Sequence, residues 1–495
     1  MLRHRLGDIL PELCPPMSPH LELAQIECHS GKFGGATPNS GLRLFFAMEG
    51  PNGDGHRHVS EAIAGGAHWA VVETERLSQF DSTTPTLGVR GTRRLWSLAC
   101  RRINGCPDRE LDIFAVTGTD GKTTCTHALQ HLLGEGCGRI GTVDKQLTAN
   151  DPAKPSTATT ANAADCYAFL AAAKASGCSC VALEMSSHAL AQERLWGMAL
   201  SGALFTNLSP EHGDFHHSMW NYFAAKARLF GGEGGHFPKI CAIRCDCFWG
   251  KRMLLVAKGA GRDTITYGLG KNCQWRLLWW SAAAFESTAL FDCGGKRIAL
   301  RIPLMGKFNC INILGAMALL SDRIPLEILA ERAASVKAPS GRMEPVVIGG
   351  GAIAFVDYAH TAAALGAALA ALRDHFPQKL ILVVFGCGGD RYRGKRIQMG
   401  AAAEKFADFA ILTADNPRSE RAADICEEIC GGFRGKGYAI VLDRREAIGA
   451  AVAMAIKRGG VLLVAGKGHE KTQMVGSGAI YFDDRAAIAE AARGL

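Results

Sequence analysis

The 495-residue sequence contains no apolar run of the roughly 18 residues that a helix needs to span a membrane. Its first residues, MLRHRLGDILPELCPP, are interrupted by charges and prolines, so they lack the apolar centre of a secretory signal peptide. These absences predict a cytoplasmic protein without a membrane partner.

Paired C-x-x-C sets with zinc-ligand spacing are absent as well, although the chain holds 18 cysteines. Scattered groups such as CSC (178–180) and CDC (245–247) predict small core side chains or inert thiols in a reducing compartment. Lysine and arginine are dispersed rather than clustered with aromatic residues, which excludes a nucleic-acid partner. The net charge of +8 suits an anionic substrate.

Six apolar runs alternate with helical stretches, and each ends in small or polar residues. This rhythm is typical of doubly wound α/β domains, whose ligands bind at the carboxyl ends of parallel strands. The runs are DIFAVTG, CVALEMS, ALFTNLS, KLILVVFG, FAILTAD and GVLLVAGKG.

The length and two Pro- and Gly-containing breaks, NGCPDRE and VKAPSGRMEP, predict three domains. We expect a small N-terminal α/β domain (1–108), a central domain with a mostly parallel sheet (109–337) and a C-terminal Rossmann-like α/β domain (338–495).

The strongest local signal is the segment FAVTGTDGKTTCTHAL (114–129), in which a strand runs through a glycine-rich turn into a helix. Gly118 and Gly121 let backbone N–H groups approach phosphate oxygens, and the helix N-terminus favours anions. Lys122 suits the β- and γ-phosphates, and the Thr123 hydroxyl suits Mg²⁺. The alternative is a plain strand-to-helix turn. We interpret the segment as a shortened phosphate-binding loop of a nucleotide site.

Two later apolar runs end beside groups that bind metals. Glu184 follows CVAL, and His212 follows ALFTNLS with Asp214 close by. Each of these residues taken singly is more often a loop hydrogen-bonding group. Beside a phosphate loop they favour a site for Mg²⁺ and ATP.

The segment SMWNYFAAKARLF (218–230) places Lys226 on the apolar face of a predicted helix. Such a lysine either extends its ammonium to water or is held inside the protein for a purpose. The pattern leaves both interpretations open. The rest of the face is formed by Met219, Tyr222, Phe223, Leu229 and Phe230.

Ten segments follow one another along the chain: TGTDGKTT, EMSSHAL, FTNLSPEHGDFH, the Y-x-x-x-K after it, GKFNCIN, GRMEPV, VDYAHT, FGCGGDRYRGKR, ADNPRSE and GKGHE. In this order they resemble the motifs of the Mur ligases, the ATP-dependent amide-bond ligases of peptidoglycan precursor synthesis. The resemblance covers residues 109–495 and is weaker before them.

The resemblance implies an ATP- and Mg²⁺-dependent acid–amino-acid ligase that works through an acyl phosphate. The sequence DNPR (415–418) resembles members that add meso-2,6-diaminopimelate to UDP-N-acetylmuramoyl-L-alanyl-D-glutamate. The three domains would then bind UDP, ATP and the incoming amino acid in chain order. We expect a monomer whose partners are these small molecules.

The resemblance also assigns roles to individual residues. The expected catalytic group is Lys122, Glu184, His212 and Lys226, of which the last would carry a carbamate (N6-carboxylysine) and bind Mg²⁺ with Thr123, Glu184 and His212. The expected ATP contacts are Gly118, Thr119, Asp120, Gly121, Lys122, Thr123, Thr124, Asn309, Arg342 and Asp357. The expected contacts of the UDP-linked dipeptide are Ser30, Thr159, Thr160, Ser186, Gln192 and Arg194. The expected diaminopimelate contacts are Arg391, Asp415, Asn416, Arg418, Gly466 and Glu470.

Several positions depart from the family pattern, and other functions stay open. A lysine-adding or folylpolyglutamate-type ligase is one alternative, against which Arg418 argues because it suits an extra carboxylate; DNPR can also be a solvated turn. A nucleotide-binding module that has lost catalysis is the other. The departures are Asp120 for Asn, Ala161 for Pro, Glu193 for Gly, Glu211 and Gly213 within the DHLDYH pattern, and Ala362 and Ala363 for Pro-Asp.

Overall fold

The described residues form three main sheets of five, eleven and six strands, with two further two-stranded pairs. The structure, a computed structural model, describes residues 4–14, 17–18, 20–28, 41–50, 53–156, 158–435 and 437–494. Within these ranges no helix is long and apolar enough to cross a membrane.

The five-stranded sheet has the order β1-β2-β3-β6-β7 and is parallel except for its edge strand β1. The strands of this sheet are β1 (His4–Arg5), β2 (Glu22–Glu27), β3 (Leu42–Phe46), β6 (Trp69–Glu73) and β7 (Thr86–Val89), while β4 (Glu49–Gly50) and β5 (Gly53–Asp54) form a separate antiparallel pair. The helices are α1 (Leu6–Ile9), α2 (Val59–Ala64) and α3 (Thr92–Ile103). Ser30, expected at the UDP-linked substrate, lies outside the described residues.

The eleven-stranded sheet has the order β11-β10-β9-β12-β8-β13-β14-β15-β16-β17-β18. Its strands are β8 (Asp112–Thr117), β9 (Cys137–Ile140), β10 (Asp144–Gln146), β11 (Lys154–Pro155), β12 (Cys180–Glu184), β13 (Gly202–Phe205), β14 (Ile240–Arg244), β15 (Asp263–Gly268), β16 (Trp275–Ala283), β17 (Glu286–Cys293) and β18 (Lys296–Ile302). Its helices are α4 (Lys122–Leu133), α5 (Ala163–Ala175), α6 (Ser187–Ala191), α7 (Gly213–His216), α8 (Met219–Gly231), α9 (Phe248–Gly259), α10 (Lys307–Leu320) and α11 (Leu326–Ala333).

In the order of the sheet, the neighbouring strands β9, β12, β8, β13, β14, β15 and β16 all pair in parallel, which confirms the expected mostly parallel sheet. Both faces of β8 are covered: Ile113 and Ala115 pack into one core, and Phe114 and Val116 pack into the other. This explains why the strand reads as a continuous apolar run. Because β12, β8 and β13 are neighbours, the segments that follow them meet at one edge of the sheet.

The six-stranded sheet has the order β19-β20-β24-β21-β22-β23 and is parallel except for β19. The strands of this sheet are β19 (Glu344–Gly349), β20 (Ala352–Asp357), β21 (Ile381–Phe385), β22 (Phe409–Leu412), β23 (Tyr438–Ile440) and β24 (Val461–Ala465), while β25 (Thr472–Val475) and β26 (Gly478–Tyr481) form a separate antiparallel pair. The helices are α12 (Ala362–His375), α13 (Lys395–Phe406), α14 (Ala422–Cys430), α15 (Arg444–Arg458) and α16 (Asp484–Arg493).

All six strands predicted from apolar runs are present, so the α/β fold class is confirmed. The antiparallel hairpins β16–β17 and β17–β18, which extend the central sheet, were not predicted. Most of the cysteines are buried, and burial raises the thiol pKa of core residues such as Cys166 to about 12.

Candidate active site

The segment predicted to bind phosphate, called the phosphate-binding turn below for that prediction, forms a tight turn between β8 and α4. Gly118 and Gly121 have φ values of 154° and 85°, where a residue with a Cβ is strained. A Cβ at Gly118 would overlap Thr206 Oγ1, and one at Gly121 would lie 2.7 Å from Asn312 Oδ1. Glycine is therefore needed at both positions, and the turn ends directly at Lys122, the first residue of α4.

Lys122 is folded back over this turn. Its Nζ donates hydrogen bonds to the carbonyl oxygens of Gly118 (3.0 Å) and Thr119 (2.8 Å), and burial lowers its pKa. Asp120 is half-buried beside it, where it accepts a 3.3 Å hydrogen bond from Ser209 Oγ, and desolvation raises the pKa of its carboxyl. In this turn the charged forms of the Lys122 amine and the Asp120 carboxyl are therefore both disfavoured.

Lys226 lies inside the protein. Its side chain on α8 is 1% exposed, its Nζ donates a 2.7 Å hydrogen bond to Gly118 O, and the ammonium lies 4.6 Å from the centroid of the Tyr222 ring. Burial, followed by the charge of Lys122, holds the Lys226 pKa well below its ordinary value. The interpretation that it extends to water is wrong. What the buried amine does stays a prediction.

Glu184 ends β12 and is 1% exposed. Its two carboxylate oxygens accept hydrogen bonds from the N–H (2.9 Å) and the hydroxyl (2.8 Å) of Thr142. Thr142 is a partner that no sequence pattern indicated. A Cβ at Gly141 would overlap Glu184 Oε1, so the chain passes close to this carboxylate. The carboxylate is held in one orientation at the carboxyl edge of the sheet.

His212 precedes α7 in a left-handed conformation with φ of 55°. Its ring meets the ring of His188 edge-on with centroids 4.6 Å apart, and it lies 5.9 Å from the Tyr222 ring. Burial lowers the pKa of both imidazoles, that of His188 to about 4. Both rings are therefore neutral at neutral pH, the form that binds metals.

No group of three or more His, Cys, Asp and Glu side chains within the described ranges is arranged to hold a metal ion. A magnesium site here would need the Thr123 hydroxyl, phosphate oxygens and an anionic form of Lys226 in addition to Glu184 and His212. Hard oxygen donors are what Mg²⁺ prefers, and it commonly binds through one or two carboxylates with phosphates. The residues fit Mg²⁺ on that condition.

A second group of predicted residues lies next to Glu184. Thr160 Oγ1 donates to the Glu184 backbone oxygen (2.9 Å) and accepts from the Ser186 N–H (2.9 Å). Arg194 donates to Thr160 O (3.0 Å) and to Gln192 Oε1 (2.9 Å). These four residues form one connected polar cluster beside the end of β12.

The segment that leads into the six-stranded sheet closes the site from the other side. Arg342 Nη2 donates a 3.0 Å hydrogen bond to Thr123 Oγ1, and its guanidinium lies 4.6 Å from the centroid of the Tyr358 ring. Asp357, at the end of β20, accepts from the Met343 N–H at 2.7 Å. This segment therefore reaches the phosphate-binding turn directly.

A buried ion pair joins the same two parts of the chain. Lys395 Nζ on α13 lies 3.0 Å from Glu211 Oε1, and both side chains are 6% exposed. The pair was not predicted, although Glu211 is one of the departures from the family pattern. It fixes the loop before His212 against the C-terminal sheet.

These elements enclose a cavity of about 580 Å³ between the central and C-terminal sheets. Its lining contains residues predicted to be catalytic, to bind ATP and to bind the UDP-linked dipeptide. Of those sets, Gly118 and Gln192 do not belong to the lining. The lining includes Thr119, Asp120, Gly121, Lys122, Thr123, Thr124, Thr159, Thr160, Glu184, Ser186, Arg194, His212, Lys226, Asn309, Arg342 and Asp357.

The residues expected to bind diaminopimelate form a separate cluster that adjoins this cavity. Asn416 Nδ2 donates to Glu470 Oε2 at 3.0 Å, and the Tyr358 hydroxyl, which lines the cavity, donates to Glu470 Oε1 at 3.3 Å. Asp415 is buried, and a Cβ at Gly466 would overlap its carboxylate.

Arg418 has a left-handed φ of 52°, and its Nη1 donates to Gly389 O at 2.8 Å. Arg391 Nη1 donates to the oxygen of its neighbour Asp390 at 3.3 Å. Burial lowers the pKa of Arg418, and the charge of Arg391 lowers it further. The two guanidinium groups therefore act on each other electrostatically. Two cations thus stand near Glu470 and Asn416.

Comparison with known proteins gives a consistent result. The Mur ligase middle domain matches residues 116–320, and the Mur ligase glutamate ligase domain matches residues 341–468. The chain is 36% identical over 497 residues to UDP-N-acetylmuramoyl-L-alanyl-D-glutamate–2,6-diaminopimelate ligase of Solibacter usitatus, covering 99% of this chain and 98% of that protein. It is 38% identical over 441 residues to the protein of the same name from Pseudomonas aeruginosa, covering 87% and 88% of the two chains.

Solved structures are also similar to this chain. A structure of UDP-N-acetylmuramoyl-L-alanyl-D-glutamate–2,6-diaminopimelate ligase superposes with a TM-score of 0.69 at 28% identity, covering 100% of this chain and 99% of that chain. Folylpolyglutamate synthase of Mycobacterium tuberculosis, in complexes with ADP and AMPPCP, superposes with a TM-score of 0.63 at 16% identity over 75% of this chain and 92% of that chain. The second likeness is one of fold alone.

Proposed function

The chain belongs to the Mur ligase family, and from this we propose that it joins meso-2,6-diaminopimelate to UDP-N-acetylmuramoyl-L-alanyl-D-glutamate at the expense of ATP. The reaction is a step of peptidoglycan precursor synthesis, placed in the cytoplasm and carried out by a monomer. The observation that carries the proposal is the buried Lys226 amine, bonded to the phosphate-binding turn on a cavity shared with Glu184 and His212.

The first step forms an acyl phosphate. The γ-carboxylate of D-glutamate attacks the γ-phosphorus of ATP, and the bond to the β-phosphate oxygen breaks to release ADP. The N–H groups after Gly118 and the Lys122 ammonium stabilise charge on the transferring phosphoryl group. Lys122 therefore exchanges its bonds to Gly118 and Thr119 for bonds to phosphate when ATP binds.

Magnesium ions bound by Thr123, Glu184, His212 and a carbamate on Lys226 would supply electrostatic stabilisation of phosphate charge. The depressed pKa of Lys226 provides the free amine that CO₂ requires. The carbamate also explains why a lysine is buried beside Lys122 with one hydrogen bond to the chain.

The second step forms the amide. The uncharged amine of diaminopimelate attacks the acyl carbon, the bond to the phosphate oxygen breaks, and the amine loses a proton as phosphate leaves. Glu470 would accept a hydrogen bond from the substrate's ammonium, and Asn416 would hold Glu470 in place. Thr159, Thr160, Ser186 and Arg194 would hold the UDP-linked dipeptide.

Arg418 would distinguish diaminopimelate from lysine. In the part of the chain that the structure describes, its hydrogen bonds to protein carbonyls come from Nη1, so Nε and Nη2 are left for a ligand. A guanidinium edge binds a carboxylate through two parallel hydrogen bonds. Diaminopimelate has a second carboxylate at the end of its side chain and lysine has none.

We also propose that the three sheets correspond to three functional domains, with 1–108 binding UDP, 109–337 binding ATP and 338–495 binding the amino acid. Arg342 and the Lys395–Glu211 pair join the last two. Closure of these two domains over the cavity would exclude water from the acyl phosphate.

The test measures ADP release by the purified chain with ATP, Mg²⁺ and the UDP-linked dipeptide. We expect turnover when diaminopimelate is supplied and at least about 100-fold less with L-lysine. Lysine has no second carboxylate, so it would leave the Arg418 guanidinium without its partner, which is costly. Equal turnover with L-lysine would contradict the specificity and favour the lysine-adding alternative. No turnover with either amino acid would contradict the ligase function itself and favour a nucleotide-binding module.

A further inference from the structure

A row of large apolar side chains on the outer surface of α8 and α9 has no role in the reaction. Trp220 and Phe248 are each 53% exposed, Phe237 is 60% exposed and Leu255 is 66% exposed. We call this surface, together with the cations described below, the α8–α9 face. None of these residues lines the cavity of the active site. Isolated exposed apolar residues are ordinary, but a contiguous patch marks an interaction surface.

The residues of the face are close together. The Trp220 ring lies 6.0 Å from that of Phe248 and 5.0 Å from that of Trp249, and Phe248 and Trp249 are 5.0 Å apart. These rings stand at the first turns of both helices. Leu255 follows two turns later on α9, which is 12 residues and thus roughly 18 Å long.

The other end of the face has the same composition. Phe237 lies beyond the end of α8. A Cβ placed on Gly232, the residue that ends the helix, would lie 3.0 Å from the Phe237 ring. The Arg262 guanidinium, just after α9, lies 4.9 Å from the Phe237 ring centroid. Aromatic and cationic groups therefore occur together at both ends of the helix pair.

The charges on helix α9 are of one sign. Helix α9 reads FWGKRMLLVAKG and contains no acidic residue, while Lys251, Arg252 and Lys258 are exposed on it. The Arg252 guanidinium lies 5.3 Å from the centroid of the Trp220 ring and 5.1 Å from that of the Phe248 ring. The face combines exposed rings, an exposed leucine and cations.

We propose that the α8–α9 face docks on the surface of a bilayer that contains anionic phospholipids. Tryptophan and phenylalanine partition to the level of the lipid head groups, leucine to the acyl boundary, and lysine and arginine to anionic phosphates. The chain would then bind peripherally, without crossing the bilayer. This differs from the expectation of no membrane partner, which rested on the absence of an apolar run and did not concern a folded surface.

Ring packing favours this occupant over a nucleic acid. Base stacking requires free ring faces. Here Arg252 covers both Trp220 and Phe248, and the rings pack edge-to-face against one another at interplanar angles of 77° to 82°. A bilayer surface needs only that the rings be exposed at the outer edge, as they are.

The test is flotation of the full chain with vesicles of phosphatidylglycerol and phosphatidylcholine, compared with vesicles of phosphatidylcholine alone. We expect binding to the anionic vesicles, a blue shift of tryptophan emission on binding and weakening in about 0.5 M salt, because ions screen exposed charges. Equal binding to neutral vesicles, or no binding to either, would overturn the proposal.

Two variants locate the binding on the face. The charge reversal Lys251→Glu with Arg252→Glu changes exposed residues only and should weaken binding to anionic vesicles by at least about 30-fold. The variant Trp220→Ala with Leu255→Ala should weaken it by at least about 10-fold. ADP release in solution should stay as in the unmodified chain for both, which shows that they fold.

The matched control is Val347→Ala with Tyr481→Ala, which removes side chains that are 82% and 72% exposed in the C-terminal sheet region. This control should bind vesicles like the unmodified chain. Loss of binding in the control, or retention of binding in both face variants, would overturn the assignment. A concentration-dependent dimer that the face variants dissociate, without vesicle binding, would assign the face to a second copy of the chain and overturn the proposal too.

Discussion

Replacement of Lys226 by methionine separates a functional role for the buried amine from a structural one. Methionine has nearly the same length and is apolar, so it fills the space that the lysine stem occupies. The substitution removes one 2.7 Å hydrogen bond to Gly118 O and one cation next to Lys122. A hydrogen bond contributes about 1 kcal/mol, and removal of a desolvated charge offsets this. We expect the free energy of unfolding to change by no more than about 1 kcal/mol.

The activity should respond quite differently. Without the carbamate, the positive charge that stabilises the transferring phosphate would be held less well. We therefore expect kcat to fall roughly 100- to 1,000-fold, which is the effect of removing a single preorganised group. ADP release coupled to ligation measures this, and thermal unfolding of the same samples measures stability. A Lys226→Met variant with activity within threefold of the unmodified chain would refute the role.

Alanine at the same position provides the matched control. Lys226→Ala leaves a cavity beside Gly118 at a cost of about 2 to 4 kcal/mol, and a small carboxylate such as acetate or propionate can enter it. We expect these anions to restore activity to the alanine variant and not to the methionine variant, whose side chain fills the space. Equal response of both variants to acetate would show an unspecific effect of the anion. Activity loss that follows only the fall in melting temperature would make Lys226 a structural residue.

Three further substitutions test other parts of the structure. Arg418→Lys should raise the KM for diaminopimelate by about 10- to 100-fold with little change in kcat, because an ammonium cannot form the bidentate pair, and an unchanged KM would contradict the assignment; Arg421→Lys, on an exposed side chain, is the control. Glu193 has a left-handed φ of 52° and pairs with two arginines, so Glu193→Ala should be about 1 kcal/mol less stable than Glu193→Gly in urea unfolding, since only glycine removes the backbone strain. The opposite order would mean that the residue is unstrained. Hydrogen bonds from Arg396 hold the Glu420 pKa at about 2, so its contribution to stability is complete above its ordinary pKa of 4.5 and is lost as the pH falls towards 2. Glu420→Gln should remove that acid dependence and cost about 3 kcal/mol at pH 7, and a variant as stable as the unmodified chain would contradict the pair's importance.

Local patterns predicted the elements that carry the chemistry. The apolar face of 218–230 predicted a helix, and the structure has it at Met219–Gly231. The same pattern could not decide whether Lys226 is buried. That depends on the carbonyl of Gly118, which is 108 positions away and approaches only once β8 and α8 are packed.

Other features of the site depend on pairs of residues that no local pattern marks. Thr142 holds both oxygens of Glu184 from 42 positions away, and threonine in a loop has no distinguishing signal. Lys395 meets Glu211 across 184 positions, and either residue alone reads as an exposed charge. The antiparallel strand β16 was missed because WRLLWWSAA lacks regular alternation, with a register shift between Leu277 and Trp279.

The most direct test of the proposed reaction follows one oxygen atom. The UDP-linked dipeptide is prepared with a heavy oxygen isotope in the γ-carboxylate of D-glutamate and incubated with the chain, ATP, Mg²⁺ and diaminopimelate. If the carboxylate attacks ATP and the amine then displaces phosphate, the released phosphate carries one labelled oxygen. Unlabelled phosphate formed together with the amide would contradict an acyl-phosphate intermediate.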